Sequence, residues 1–284
     1  MYRKRWCKIK VAILTDSSFD GRVSNYENLY VVPLMITTED GQTFYDNESL
    51  TKEYFYELLE NQTLKTSQTA PGDMFEIWDS LLEQYDQIVF LPISSQLSGQ
   101  YNTFKMLSQN EDKYKDKVFV CDTKSVSVVL QEMVRKVSKW IGQGKTGLEI
   151  QQLVEQASND FIAFIVPKNL ETLKKGGRIK PAAAAIAKML KITPILRYDG
   201  SIDKETTART FKKAISTALE LLKDEIQDLK YIDISYSQMN NECLCSVEEL
   251  IKEYDLEIRI KSELTKVIAS HTGKETIALV GWKK

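Results

Sequence analysis

The stretch FLPISSQLSGQYNTF, residues 90–104, decides the fold. Its apolar start, running to Ile93, reads as the close of a strand buried on both faces. Ser94-Ser95 and Ser98-Gly99 then read as a polar turn, and Leu97, Tyr101, Phe104 and Leu107 recur at helical spacing. Strand, polar turn and helix in succession form the unit of an α/β protein with a parallel sheet. A serine at such a strand end is also where α/β hydrolases keep their nucleophile. The same stretch therefore poses the functional question of whether these hydroxyls react with a ligand or hold one.

Working outward, similar apolar runs occur at 11–14, 88–93, 118–121 and 161–166. Between them lie amphipathic patterns, such as Met74, Trp78, Leu81 and Tyr85 on one helical face. This alternation predicts a three-layer α/β/α domain with a mainly parallel sheet over residues 1–158. Beyond Asn159-Asp160 the pattern changes. Helical spacing is found at Phe211, Ile215, Leu219 and Leu222, and again at Val247, Leu250, Ile251 and Tyr254. Strand candidates are 192–198, 201–206, 231–236, 256–261 and 277–282, and an Asp-Gly turn signal at Asp199-Gly200 joins two of them as a hairpin. Residues 159–284 therefore read as a second α/β domain with a mixed sheet. No linker rich in Pro, Gly or Ser separates the two, so they are expected to pack closely.

The chain of 284 residues is 43% hydrophobic and 27% charged, with a net charge of −2. That balance gives no electrostatic reason to expect a nucleic-acid partner. Lys174, Lys175, Arg178 and Lys180 cluster, but the run is short and lacks an aromatic platform. Four cysteines (Cys7, Cys121, Cys243 and Cys245) and one histidine fit no zinc spacing, so no metal is expected. Cys121 reads as a buried core thiol and Cys243-Leu244-Cys245 as reduced cysteines. A Walker A motif ending at Gly144-Lys145-Thr146 or Gly273-Lys274 would need glycine where Lys139 or Ile268 stands, and no G-x-G-x-x-G occurs. No nucleotide or other cofactor is expected. The apolar run after the basic N-terminus spans only 11–14, short of the about 7–15 residues of a signal peptide's apolar region. Nothing approaches the about 20 apolar residues of a membrane span. A soluble, cytoplasmic protein with no stable membrane insertion is expected.

Ligands of open parallel sheets bind beyond the carboxyl ends of the strands. Thr15-Asp16-Ser17-Ser18, Ser94-Ser95 and Asp122-Thr123 follow the proposed strands, and Thr66, Ser67, Gln68 and Thr69 precede a helix that Pro71 and Asp73 can start. Any one such loop can be only a helix cap, because Ser, Thr and Asp are the usual capping residues. Several converging at one sheet edge suit an oxygen-rich, anionic head group, aided by helix N-termini. His271, in a turn-like spot between apolar segments, can hydrogen-bond a ligand. Gly176-Gly177 ends a helical pattern and presents Arg178, whose fork of donors suits an anion. A hydrolase would need Ser94 or Ser95 with His271 and Asp16, but the G-x-S-x-G elbow is absent: Ile93 and Leu97 flank Ser95 at the glycine positions, and Pro92 and Gln96 flank Ser94.

These motifs, in order, resemble the DegV family of bacterial fatty-acid-binding proteins. The residues carrying the resemblance are Thr15-Asp16-Ser17, Lys65-Thr66-Ser67-Gln68, Ser94 to Gly99, Gly176-Gly177-Arg178-Ile179, Pro194-Ile195-Leu196 with Asp199-Gly200, Arg209, and His271-Thr272-Gly273. The resemblance implies a non-enzymatic carrier that encloses one long-chain fatty acid at the domain junction. It implies a carboxylate held by Thr66 and Ser95, with Ser67, Ser94, His271 and Arg178 around it, and an apolar tunnel for the chain. It also implies a separate fatty acid kinase that phosphorylates the bound carboxylate for phospholipid synthesis, with Arg209 at the docking position. A lipid or ester hydrolase using Ser95 and His271, and a scaffold with a repurposed pocket, are the alternatives. Relatives usually follow the His-x-Gly segment with Pro-Gly, where this chain has Lys274-Glu275. Val128-Val129-Leu130-Gln131 stands where many relatives have small residues, which implies a narrowed tunnel and an altered chain preference.

Overall fold

A computed structural model describes residues 9–181 and 192–283, so Cys7 lies outside the described residues. Four apolar segments pair as β1 (Val11–Asp16), β2 (Leu29–Val32), β6 (Gln87–Leu91) and β7 (Val118–Val120), in the order β2-β1-β6-β7 and all parallel. β1 is buried along its whole length, and its side chains alternate between two cores. Ala12 and Leu14 meet Met74, Trp78 and Phe104 from α2 (Pro71–Leu82) and α3 (Gln100–Asn110). Val11 and Ile13 meet Leu130, Val134 and Ile150 from α4 (Val128–Gly142) and α5 (Gly147–Ala157). Helices on both faces make the expected three layers. Pro71 occupies the first turn of α2, where its missing N–H costs nothing. Leu97 lies before α3, which starts only at Gln100, and Tyr85 lies beyond α2; each packs at the edge of a core without belonging to the helix.

A six-stranded sheet has the order β10-β9-β8-β13-β11-β12. Its strands are β8 (Phe161–Pro167), β9 (Thr193–Tyr198), β10 (Ile202–Ala208), β11 (Tyr231–Tyr236), β12 (Glu257–Glu263) and β13 (Thr276–Trp282). Only β11 and β12 run parallel; the other pairs are antiparallel, so the sheet is mixed. The β9–β10 hairpin turns at Gly200, whose φ of +105° lies in the region glycine tolerates. One face, including Phe164, Val166, Ile234 and Leu279, is covered by α7 (Phe211–Glu225) and α8 (Asn241–Glu253). Cys243 and Cys245 lie on α8 with free thiols, and Cys121 is a buried free thiol whose pKa burial raises.

The sequence reading lacks a third sheet, built from β3 (Met35–Thr37), β4 (Thr43–Tyr45) and β5 (Lys65–Ser67) in the order β4-β3-β5, all antiparallel. Each strand has only three residues, too few for alternation to register. Ile36, Leu34 and Leu64 pack there with Phe55 and Tyr56 of α1 (Lys52–Asn61) and with Val267 and Ala269 of α9 (Lys266–Thr272). His271 therefore sits on a helix and not in a turn; the turn follows it, at Gly273 with φ +73°. Among the described residues no helix is long and apolar enough to cross a membrane.

Candidate functional site

The second face of the six-stranded sheet carries small side chains where its neighbours are large. Ala163 stands beside Val280, and Ala278 beside Ile165. That relief leaves a cavity of about 450 Å³ between the sheet, the start of α4, the loop after β6, α9, and α6 (Glu171–Gly176). The volume falls within the roughly 300–1,000 Å³ of ligand sites. Val129, Ala163, Ile165, Leu173, Ala278 and Val280 line its apolar part.

Its polar side is built from distant segments. Thr66 comes from β5, Ser95 from the loop after β6, Arg178 from just beyond α6 and His271 from α9; Ser67 also lines the wall. β5 is held in register by Thr66 opposite Ile36 of β3. The Thr66 hydroxyl and His271 Nε2 lie 2.7 Å apart. Burial, aided by the nearby Arg178 charge, pushes the His271 pKa down to about 4, so the imidazole is neutral at pH 7. Arg178 donates from Nη1 to the Gly176 carbonyl at 2.6 Å. Burial draws its pKa below the usual arginine range. Its α6 ends in the left-handed Gly177, φ +67°, which reverses the chain toward the cavity wall. Half-buried cation, neutral imidazole and hydroxyls together form a donor-rich surface suited to an anion.

Ser95 is tethered. Its hydroxyl donates to Asp122 Oδ2 at 2.5 Å and its N–H to Asp122 Oδ1 at 3.2 Å. No hydrogen bond joins Ser95 to His271 among the described residues, so the nucleophile–base contact of a hydrolase is not formed. Asp16 does not orient the imidazole either. It accepts hydrogen bonds from Ser18, the Ile93 N–H and the Gln100 amide, and burial raises its pKa despite them. Thr15 donates to the Leu91 carbonyl, and Ser17 accepts from the Leu34 N–H. The loop after β1 thus ties the fold together and does not furnish the cavity's polar wall.

Ser94, expected around the carboxylate, does not line the cavity, and Arg209, expected at a docking position, lies apart from it. Ser94 is fully buried and its hydroxyl donates to the Gly200 carbonyl at 2.6 Å, pinning the β9–β10 hairpin to the loop after β6. Arg209 is exposed in the short link between β10 and α7 and does not line the cavity. Sequence reasoning also missed Ser127 and Ser235, which line the cavity with hydroxyls 2.6 Å apart, the former also bonded to Asp20. A signal existed: Ile232-Asp233-Ile234-Ser235 alternates apolar and polar residues along one strand, marking one face as different.

The Lys274-Glu275 departure is accommodated by ion pairs. Lys274 pairs with Glu60 of α1 and lies over the Tyr56 ring, and Glu275 meets Lys168 at 2.5 Å. Glu275 adopts φ +54°, a backbone state that costs a non-glycine residue.

A family model described as uncharacterised protein, DegV family, matches residues 10–284. A DegV domain-containing protein of Staphylococcus aureus strain N315 is 31% identical over 283 residues, covering 97% of this chain and 99% of that one. A fatty-acid-binding DegV family protein from Thermus thermophilus superposes with a TM-score of 0.84 at 26% identity, over 97% of this chain and all 100% of that chain. One from Streptococcus agalactiae, also described as fatty acid binding, gives a TM-score of 0.83 at 26% identity, over 97% of this chain and 99% of its own. The match from residue 10 to residue 284, on a fold with one parallel and one mixed sheet, places this chain in the DegV family.

Proposed function

We propose that the protein is a carrier that binds one long-chain fatty acid, at the junction of units spanning 1–158 and 159–284. The observation that carries the reading is an apolar cavity of about 450 Å³ with one donor-rich side. Each methylene moved out of water contributes about 0.8 kcal/mol, so the dry wall supplies most of the affinity. Thr66, Ser67 and Arg178 meet the carboxylate, with His271 behind Thr66 in the same hydrogen-bond network, because a buried charge left unpaired is costly. Ser95 joins them once its hydroxyl turns away from Asp122. Ser94 acts from behind, by fixing the loop that bears Ser95. The fatty-acid-binding relatives from Thermus thermophilus and Streptococcus agalactiae support the ligand class.

The bound carboxylate is then presented to a separate fatty acid kinase. Its oxygen takes the terminal phosphoryl group of the kinase's nucleotide, giving an acyl phosphate and a nucleoside diphosphate. Arg209 contacts that kinase. The protein supplies no nucleophile and no cofactor, and works in the cytoplasm.

Native mass spectrometry of the purified protein, followed by lipid extraction, tests the carrier reading. The expected result is one bound fatty acid, lost in a Thr66→Ala/Ser95→Ala double variant. A protein that carries none and takes up none when supplied would sink it. Turnover of p-nitrophenyl esters that disappears in Ser95→Ala would make the protein a hydrolase instead.

A further inference from the structure

His271 is the chain's single histidine, and its two ring nitrogens have unlike surroundings. Nε2 faces the Thr66 hydroxyl at 2.7 Å. Among the described residues Nδ1 is buried with no hydrogen-bond partner. What lies against it is Gly176: a Cβ built on that residue would come within 2.6 Å of Nδ1 and 3.4 Å of the His271 Cβ and Cγ. The carbonyl of the same glycine accepts from Arg178 at 2.6 Å, and no hydrogen bond joins it to Nδ1. An unpaired buried N–H is rarer and costlier than an under-used acceptor. The proton of the neutral ring therefore belongs on Nε2, and Nδ1 is bare. Nε2–H then donates to Thr66, whose own hydroxyl proton is free to point into the cavity that Thr66 lines. With the other tautomer, Thr66 would give its proton to the ring and present only lone pairs.

We propose that Gly176 is a positioning residue of the head-group site, seating His271 in the Nε2–H tautomer so that Thr66 donates its hydroxyl to the ligand's carboxylate. The inference rests on the fatty-acid reading above for the identity of that carboxylate. Gly176 closes the helical turn of α6 and is not in the left-handed region that its neighbour Gly177 occupies. Its lack of a side chain is thus explained by the imidazole and not by backbone geometry. For the same reason alanine suits the backbone there and is the better helix former. Gly176→Ala is therefore a steric probe of the ring that carries no backbone penalty of its own.

Nitrogen NMR of the imidazole in protein labelled with 15N-histidine gives one pair of ring signals. At pH 7 the wild type is expected to show a protonated Nε2 and a bare Nδ1. Gly176→Ala is expected to lose that single-tautomer signature and to bind octadecanoate about tenfold more weakly, while still unfolding in one cooperative transition. A wild-type ring protonated on Nδ1 would overturn the proposal, as would a Gly176→Ala protein with unchanged signals or unchanged octadecanoate affinity. A wild type with the Nε2–H signature that takes up no fatty acid would support the tautomer and remove the carboxylate, so the two failures are distinguishable.

Discussion

Ser94 and Ser95 are consecutive, yet their hydroxyls go to opposite places, one to the Gly200 carbonyl and the other to Asp122 at the cavity wall. Residue type placed both at a polar turn; only the backbone path separated their tasks. His271 and Asp20 show the same dependence in their acid–base behaviour. Burial holds His271 at about 4, below its usual 6.5. The unfolded chain therefore takes up a proton first as pH falls, and stability present above pH 6.5 is lost toward pH 4, by roughly 3 kcal/mol. Asp20 behaves oppositely: burial raises its pKa from 3.8 to about 6, so the folded state takes the proton first and gains over much of the same window. The two slopes oppose one another. Asp20→Asn should lose more stability than wild type on acidification across that window, measured by urea denaturation at a series of pH values. Parallel curves would show that Asp20 does not titrate there.

Among the elements, the long ones were legible. Strands buried on both faces need continuous apolar runs, and 11–14 and 161–166 fall within observed strands, while 88–93 and 118–121 overlap strands that end at Leu91 and Val120. The small β4-β3-β5 sheet was not legible, since β5 is the polar tripeptide Lys65-Thr66-Ser67 and owes its strand state to pairing with β3. α9 was hidden for a similar reason: its seven residues pack their apolar side onto α1 and β3, a partnership set by the tertiary fold. The sequence predicts bulk at the start of α4, and Val128 and Val129 line the cavity. Val129→Gly should widen that wall and shift the profile of retained fatty acids toward longer or bent chains. Lipid analysis of wild type and variant purified in parallel measures this, and identical profiles would exclude Val129 as a determinant.

Across the molecule, α9 lies late in the chain yet completes a core with residues 34–64, while α4 helps enclose the inner face of the late sheet. The cavity is thus walled by segments from both halves, and ligand binding should stabilise the whole chain. At free ligand about a hundredfold above Kd, one site contributes about 2.7 kcal/mol. Arg209, exposed and not lining the cavity, allows the two proposed roles to be tested apart. Arg209→Glu should leave fatty acid content unchanged and reduce acyl-phosphate formation with the kinase severalfold or more, read by phosphoryl transfer from labelled nucleotide. Equal loss of both would place Arg209 in ligand binding or folding instead. What the sequence determined by itself was the layering, because burial on one or two faces imposes a local apolar period, and the hairpin at Gly200, because its turn demands a positive φ. Which hydroxyls face the cavity was decided only by the tertiary structure. Thr66 and His271 are 205 residues apart, and no local period records a contact between strand β5 and helix α9 with Gly176 of α6 against the ring.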